Sequence, residues 1–211
     1  MSETYGKERI QLITDIDDTV KSSGGVRLFW KVGPTLGGID TQYARGDFYP
    51  GVFQFAAEVV NFGKPPNMQP ASVAVLTARA RELKLFLALR PGQKLCQQFR
   101  IAGERLFNET GAGSPDWGID CDRTVLYGSV AEWILQWRKG WRKFDNFQKL
   151  RTLNDERTRY VLVGDTGEYD EECGESMAHG FREEVRACFF HVVSERDWLT
   201  KGRGGMPAGK R

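Results

Sequence analysis

The sequence predicts an α/β fold: a three-layer α/β/α sandwich around a central parallel sheet of about five strands. Three observations carry that reading. Short unbroken apolar runs alternate with stretches of helical length, the pattern of strands covered on both faces. Glycine and proline fall between the runs rather than within them. Two of the apolar runs, Ile10-Gln11-Leu12-Ile13 and Tyr160-Val161-Leu162-Val163, lead straight into acidic residues.

In order, the first strand is expected over Ile10 to Thr14, followed by a long loop. Tyr49-Pro50-Gly51 opens a helix that runs through Val60, with Gly63 and Pro65-Pro66 ending it. Ser72 to Leu76 forms a second strand that ends at Thr77. Arg79 to Leu89 reads as a helix closed by Pro91-Gly92, and Lys94 to Phe107 as another. Thr124 to Tyr127 is the third strand, ending at Gly128-Ser129. Ala131 to Leu153 is helical with an interruption or kink at Gly140. Tyr160 to Val163 is the fourth strand, Glu171 to Glu184 a helix, and Arg186 to Val193 the fifth strand.

Composition narrows the class. A chain of 211 residues with 40% hydrophobic and 27% charged residues can bury one substantial core. A single domain is expected over residues 1–199, with a loose Gly- and Lys-rich tail over 200–211. No apolar run approaches the roughly 20 residues that span a bilayer. Met1 to Arg9 is polar and lacks a signal-type apolar region, so the expected location is cytoplasmic. The net charge of +2 is too small to imply a nucleic-acid partner. Cys96, Cys121, Cys173 and Cys188 form no paired ligand pattern and are expected to be reduced. His179 and His191 read as structural.

Chemistry concentrates in Asp15-Ile16-Asp17-Asp18-Thr19. A strand that ends in packed carboxylates and opens into a Gly-bearing loop places them at the carboxyl edge of the sheet, where open α/β folds bind ligands. Carboxylates this close repel one another unless a hard divalent cation joins them, so the motif asks for Mg2+. The second strand brings Thr77 to the same edge. The fourth brings Gly164-Asp165-Thr166-Gly167-Glu168-Tyr169-Asp170, and the intervening basic helix offers Lys143 or Lys149. A lone acid pair in a loop is mostly just solvated. Two acid clusters, each after an apolar strand, with a strand-end Thr and a downstream Lys in order, make a catalytic site the stronger reading.

The order Asp-x-Asp-x-Thr, strand-end Thr, Lys and Gly-Asp-x(4)-Asp resembles the haloacid dehalogenase (HAD) superfamily of phosphohydrolases, over roughly Gln11 to Val193. Asp-Ile-Asp-Asp-Thr-Val-Lys, Tyr-Pro-Gly-Val at Tyr49 to Val52 and Val-Gly-Asp-Thr-Gly-Glu-Tyr-Asp resemble a narrower group, the actin-patch-type phosphatidate phosphatase catalytic domain. The resemblance implies a HAD-like Rossmannoid fold and an aspartyl-phosphate mechanism. Asp15 is then the nucleophile and Asp17 the proton donor and later the base for water. Thr19 fixes the loop beside the phosphate. Asp15, the backbone carbonyl of Asp17, and Asp165 hold magnesium. Thr77 binds phosphoryl oxygens, Gly128 and Ser129 line the substrate side, and Lys143, with Lys149 as the alternative, neutralises developing charge. Asp170 orients that lysine or a metal-bound water. Where the narrower group carries a Ser-Asn-Ser-Pro stretch, this chain reads Leu76-Thr77-Ala78-Arg79. Arg79 and Arg81 bring charge that suits a phosphate or an acidic head group.

The inserts at Val20 to Phe48 and Asn108 to Arg123 are too small for an independent cap domain, which leaves only a flap over the site. An open site suits a bulky or surface-bound phosphorylated substrate, and the resemblance implies a lipid phosphate. A phosphoprotein or a soluble phosphometabolite is the alternative, and a non-catalytic binding module on the same scaffold the second. Trp133, Trp137 and Trp141 recur at four-residue spacing between arginines and lysines. Packing against the sheet is the simpler reading of that face. An interfacial patch giving peripheral contact with a membrane surface is the other.

Overall fold

A computed structural model of the chain describes residues 8–25, 27–29, 32–35, 38–65, 68–80, 89–128, 139–167 and 169–193. The main sheet contains β1 (Arg9–Thr14), β4 (Ala74–Ala80), β5 (Val125–Gly128), β6 (Thr158–Asp165) and β7 (Val185–His191) in the order β5-β4-β1-β6-β7. All four pairings are parallel. The helices are α1 (Val52–Asn61), α2 (Lys94–Thr110), α3 (Lys139–Leu153) and α4 (Asp170–Gly180). The α/β class and the five-stranded parallel sheet flanked by helices therefore stand, in the arrangement of a Rossmann-like sandwich. No helix among the described residues is long and apolar enough to cross a membrane.

Alternation along the strands sorts the core into two layers. Leu12, Val75 and Val163 face one cluster with Ala56, Val60, Phe99, Leu106 and Trp117 from the α1/α2 side. Ile13, Leu76, Tyr160 and Leu162 face the other, with Phe147, Leu150, Cys173 and Met177 from α3 and α4. Burial on both faces explains why these strands read as continuous apolar runs.

Three local expectations need correction. The second strand does not stop at Thr77: β4 continues through Arg79 to Ala80, and Ala80 pairs with Gly128 after a register shift. Arg79 and Ala80 are good helix formers, but pairing with β5 overrides that preference. The rest of the helix expected at Arg79 to Leu89, residues 81–88, lies outside the described residues. The last helix closes at Gly180 rather than Glu184, because the backbone turns over Phe181 to Glu184 to deliver Val185 into β7. The long first insert also contains an antiparallel hairpin that the sequence did not suggest. Its strands are β2 (Arg27–Phe29) and β3 (Val32–Thr35), with Arg27 paired to Thr35 and Phe29 to Val32. Of the helix expected over Ala131 to Leu153, α3 covers Lys139–Leu153, and residues 129–138 lie outside the described residues.

Candidate functional site

Strand order decides where the site sits. From β1 the chain moves to β4 and β5 on one side, then returns to β6 and β7 on the other, so the order reverses at β1. That reversal opens a crevice at the carboxyl ends of the strands. Asp15 is the first residue after β1 and Asp165 the last of the adjacent β6. Thr14 pairs with Val163, so Asp15 follows level with Gly164 and Asp165 comes one residue further along the neighbouring strand.

Asp170 joins them from the first turn of α4, where a carboxylate also complements the helix dipole. Its Oδ2 accepts the Asp165 N–H at 3.2 Å. Gly164 makes that approach possible, since a Cβ there would stand 2.5 Å from the Asp170 Cβ. Tyr169, at φ 64°, turns the chain into the helix. The carboxylates of Asp15, Asp165 and Asp170 are all buried, with one oxygen from each inside a 4.8 Å span.

Lys143 reaches the same place from α3. Its side chain is only 4% exposed, and Nζ lies 2.7 Å from Asp15 Oδ2 while also donating to Asp170 Oδ1. Of the two lysines considered, Lys143 meets the acids, whereas Lys149 is exposed. Asn146, one turn on and buried, donates to the Tyr127 carbonyl at 3.3 Å and fastens α3 to the end of β5. Cys173, one turn past Asp170, is sealed below this cluster. Burial, then the charge of Asp170, pushes its thiol well above the usual range, so it stays a neutral packing group.

The remaining anticipated residues divide. Thr19 is buried and donates to Asp165 Oδ2 at 3.3 Å, tying the β1 loop to the β6 tip. Thr77 is buried in β4, one strand over from Asp15. Asp17 is not in the three-acid group. Its carboxylate is 17% exposed and faces Lys21 at 3.7 Å, which suits a group that exchanges protons with solvent or substrate. Gly128 ends β5 beside Ala80, and Arg79 lies in β4. Ser129, Arg81, Trp133 and Trp137 lie outside the described residues, while Trp141 is half-buried on α3.

Sequence reasoning gave no role to Asp18, Asp40 or Tyr49 and set His191 aside as structural. All four meet directly behind the acid loop. The signal was present in part: adjacent acids such as Asp17 and Asp18 cannot both point into one site, so one of them has another task.

No protein-family model, curated protein or solved structure matches the chain.

Proposed function

We propose that the chain is a magnesium-dependent phosphomonoester phosphatase of the HAD type, working through an aspartyl-phosphate on Asp15, with phosphatidate or a related lipid phosphate as substrate. One observation carries the reaction type: the Asp15 carboxylate at the reversal point of the sheet, bonded to buried Lys143 and grouped with Asp165 and Asp170. The all-oxygen donor set fits a hard divalent cation. Asp15, Asp165 and the Asp17 carbonyl would hold magnesium, which when bound neutralises charge on the phosphoryl oxygens.

The chain's own residues do the rest. An Asp15 carboxylate oxygen attacks phosphorus, and the bond from phosphorus to the leaving alkoxide breaks. Asp17 gives that alkoxide a proton, then takes one from the water that attacks the aspartyl-phosphate. Breaking the phosphorus bond to Asp15 releases phosphate and restores the carboxylate. Lys143 and the Thr77 hydroxyl balance the charge that builds on the phosphoryl oxygens. Asp170 holds the Lys143 ammonium over Asp15.

The lipid assignment rests on the resemblance of Asp15 to Lys21 and of Val163 to Asp170 to the actin-patch-type enzymes. A phosphate-release assay with magnesium tests both levels. The panel contains p-nitrophenyl phosphate, soluble phosphomonoesters, a phosphopeptide, and phosphatidate in mixed micelles, with Asp15→Asn as control. Release from phosphatidate above the others supports the full reading. Release from soluble esters or phosphopeptide alone removes the lipid assignment. No release from any member, with magnesium still bound, favours a binding module.

A further inference from the structure

We infer that Asp18 is a positioning residue: a buried clasp that joins the two roots of the β2–β3 insert and thereby sets the place of Asp17. The inference rests on the phosphatase reading above. Asp18 is fully buried and sits at φ 63°, a conformation that side-chain-bearing residues adopt only when the surroundings hold them there. Its Oδ1 accepts the Ser23 N–H at 2.8 Å, on the outgoing root of the insert. Its Oδ2 accepts the N–H groups of Ile39 and, at 2.9 Å, Asp40, on the returning root. A carboxylate satisfied by three backbone N–H groups is a strong, charge-assisted fastening.

The fit is close enough to dictate a neighbour. A Cβ on Gly38 would stand 2.1 Å from Asp18 Oδ2, and Gly38 itself has φ 146°. Glycine is the residue that allows the returning root to close on the carboxylate.

The clasp is part of a ring of four side chains. His191, at the tip of β7, donates from Nδ1 to the Asp18 carbonyl at 2.8 Å. The Tyr49 ring stands edge-on to the His191 ring, with centroids 4.3 Å apart. The Tyr49 hydroxyl donates to Asp40 Oδ2, and the Asp40 N–H returns to Asp18. Burial, with the bond to Asp40 adding to it, pushes the Tyr49 phenol far above its ordinary range, so the hydroxyl remains a donor. The ring joins the β1 loop, the insert, the entry to α1 and the end of β7. Asp17 is the residue immediately before Asp18 on the strained loop, between the ring and the Asp15 nucleophile. Its backbone therefore has one fixed neighbour on each side.

Leaving-group dependence separates positioning from mere structure. p-Nitrophenol leaves without a proton, whereas the alkoxide of β-glycerophosphate needs one from Asp17. For Asp18→Asn, kcat on β-glycerophosphate should fall about tenfold or more further than kcat on p-nitrophenyl phosphate, within the range that proton transfer by a placed side chain contributes. KM should change little. Tyr49→Phe, which keeps the ring against His191 and removes the hydroxyl with its bond to Asp40, should shift the ratio in the same direction by less. It also serves if Asp18→Asn does not fold. Equal losses on both esters, or none, overturn the positioning role while leaving the phosphatase reading intact. Wild-type inactivity on both esters and on phosphatidate overturns the phosphatase reading and the positioning role with it. Amide exchange at Ser23, Ile39 and Asp40 that is no faster in Asp18→Asn than in wild type overturns the clasp itself.

Discussion

A buried polar side chain lies near the start of β1, Gln11, and another just past its end, Asp15, and the two ends use them differently. At the amino end Gln11 donates to the Ser72 carbonyl at 3.0 Å and accepts from Asn154 at 2.8 Å. Asn154 in turn donates to the Leu150 carbonyl and to the Tyr160 hydroxyl, both at 3.1 Å. Neutral donors meet neutral acceptors there, an arrangement that fixes strand and helix together at little electrostatic cost. At the carboxyl end, Asp15, Asp165 and Asp170 converge with the Lys143 ammonium out of water. Buried charge gathered this way contributes little to stability, and replacing it with apolar side chains is often neutral or better. A fold seeking stability alone would repeat the first arrangement. The second makes sense as a place built for a charged ligand.

Exchanging single atoms at each end should expose that division. The largest effect belongs to Asp15→Asn, which keeps the shape and removes the charge of the oxygen proposed to attack phosphorus. Phosphate release should fall by on the order of 10⁴-fold or more, the scale seen when a covalent nucleophile is lost. Its melting temperature should stay within a few degrees of wild type. A large loss of both together would mean that Asp15 is a structural acid, and the contrast between the two ends would collapse.

Asp165→Asn sharpens the same contrast through the proposed cation. Activity should drop roughly 100-fold or more, as when one fixed electrostatic partner of the reacting group is removed. Differential scanning fluorimetry adds a readout independent of turnover. A cation that binds only the folded state stabilises it by about 2.7 kcal/mol at a hundredfold excess over its dissociation constant. Magnesium should therefore raise the wild-type melting temperature, chelation should reverse it, and Asp165→Asn should show a much smaller rise. An equal rise in both proteins would place the cation elsewhere.

At the opposite end the expectation inverts. Gln11→Ala leaves the Ser72 carbonyl without its side-chain donor and removes one of the three acceptors around the Asn154 amide, a cost of about 1–3 kcal/mol. Chemical denaturation should show that loss, while phosphate release at a temperature well below melting should stay within about twofold of wild type. A Gln11 variant that lost activity in the folded state would show that the two ends are coupled through β1.

These ends were not equally legible. The tips of β1 and β6 announced themselves, because a strand buried on both faces must be apolar and the acids after it stand out. Lys143 stands where the resemblance implies a lysine, and α3 brings it beside Asp15 by packing against β4, β5 and α4. Thr77 was seen but its strand was cut short, since Ala78-Arg79-Ala80 carries helical preference and only the pairing partner, Gly128, makes it a strand. The hairpin was missed for a similar reason. Val32-Gly33-Pro34-Thr35 contains two residues that ordinarily argue against a strand interior, and an edge of a short two-stranded ladder tolerates them. Asp18 was hidden most thoroughly. Its partners at 39 and 40 are backbone N–H groups brought back by the insert, and no side-chain pattern marks where a backbone amide will return.

The smallest predicted effect uses alkaline pH to address two buried neutral groups, the Tyr160 phenol and the Cys96 thiol. Burial raises the Tyr160 phenol above its usual value of 10.0. Burial, together with the neighbouring Cys121 thiol, pushes the Cys96 thiol from 9.0 up to about 12. In both cases the folded state favours the neutral form, so the unfolded chain releases these protons first as pH rises. The stability they contribute is whole below about pH 9. It then declines as the solution becomes more alkaline, toward the raised values of the folded state. Tyr160→Phe removes one contributor and should flatten the decline above pH 10, at the cost of the hydroxyl that accepts from Asn154. Cys96→Ser should act on the part that begins near pH 9. Denaturation midpoints from pH 7 to 11 for the three proteins would measure both slopes. Curves for Tyr160→Phe and Cys96→Ser that superpose on the wild-type curve would show that neither group carries the alkaline decline.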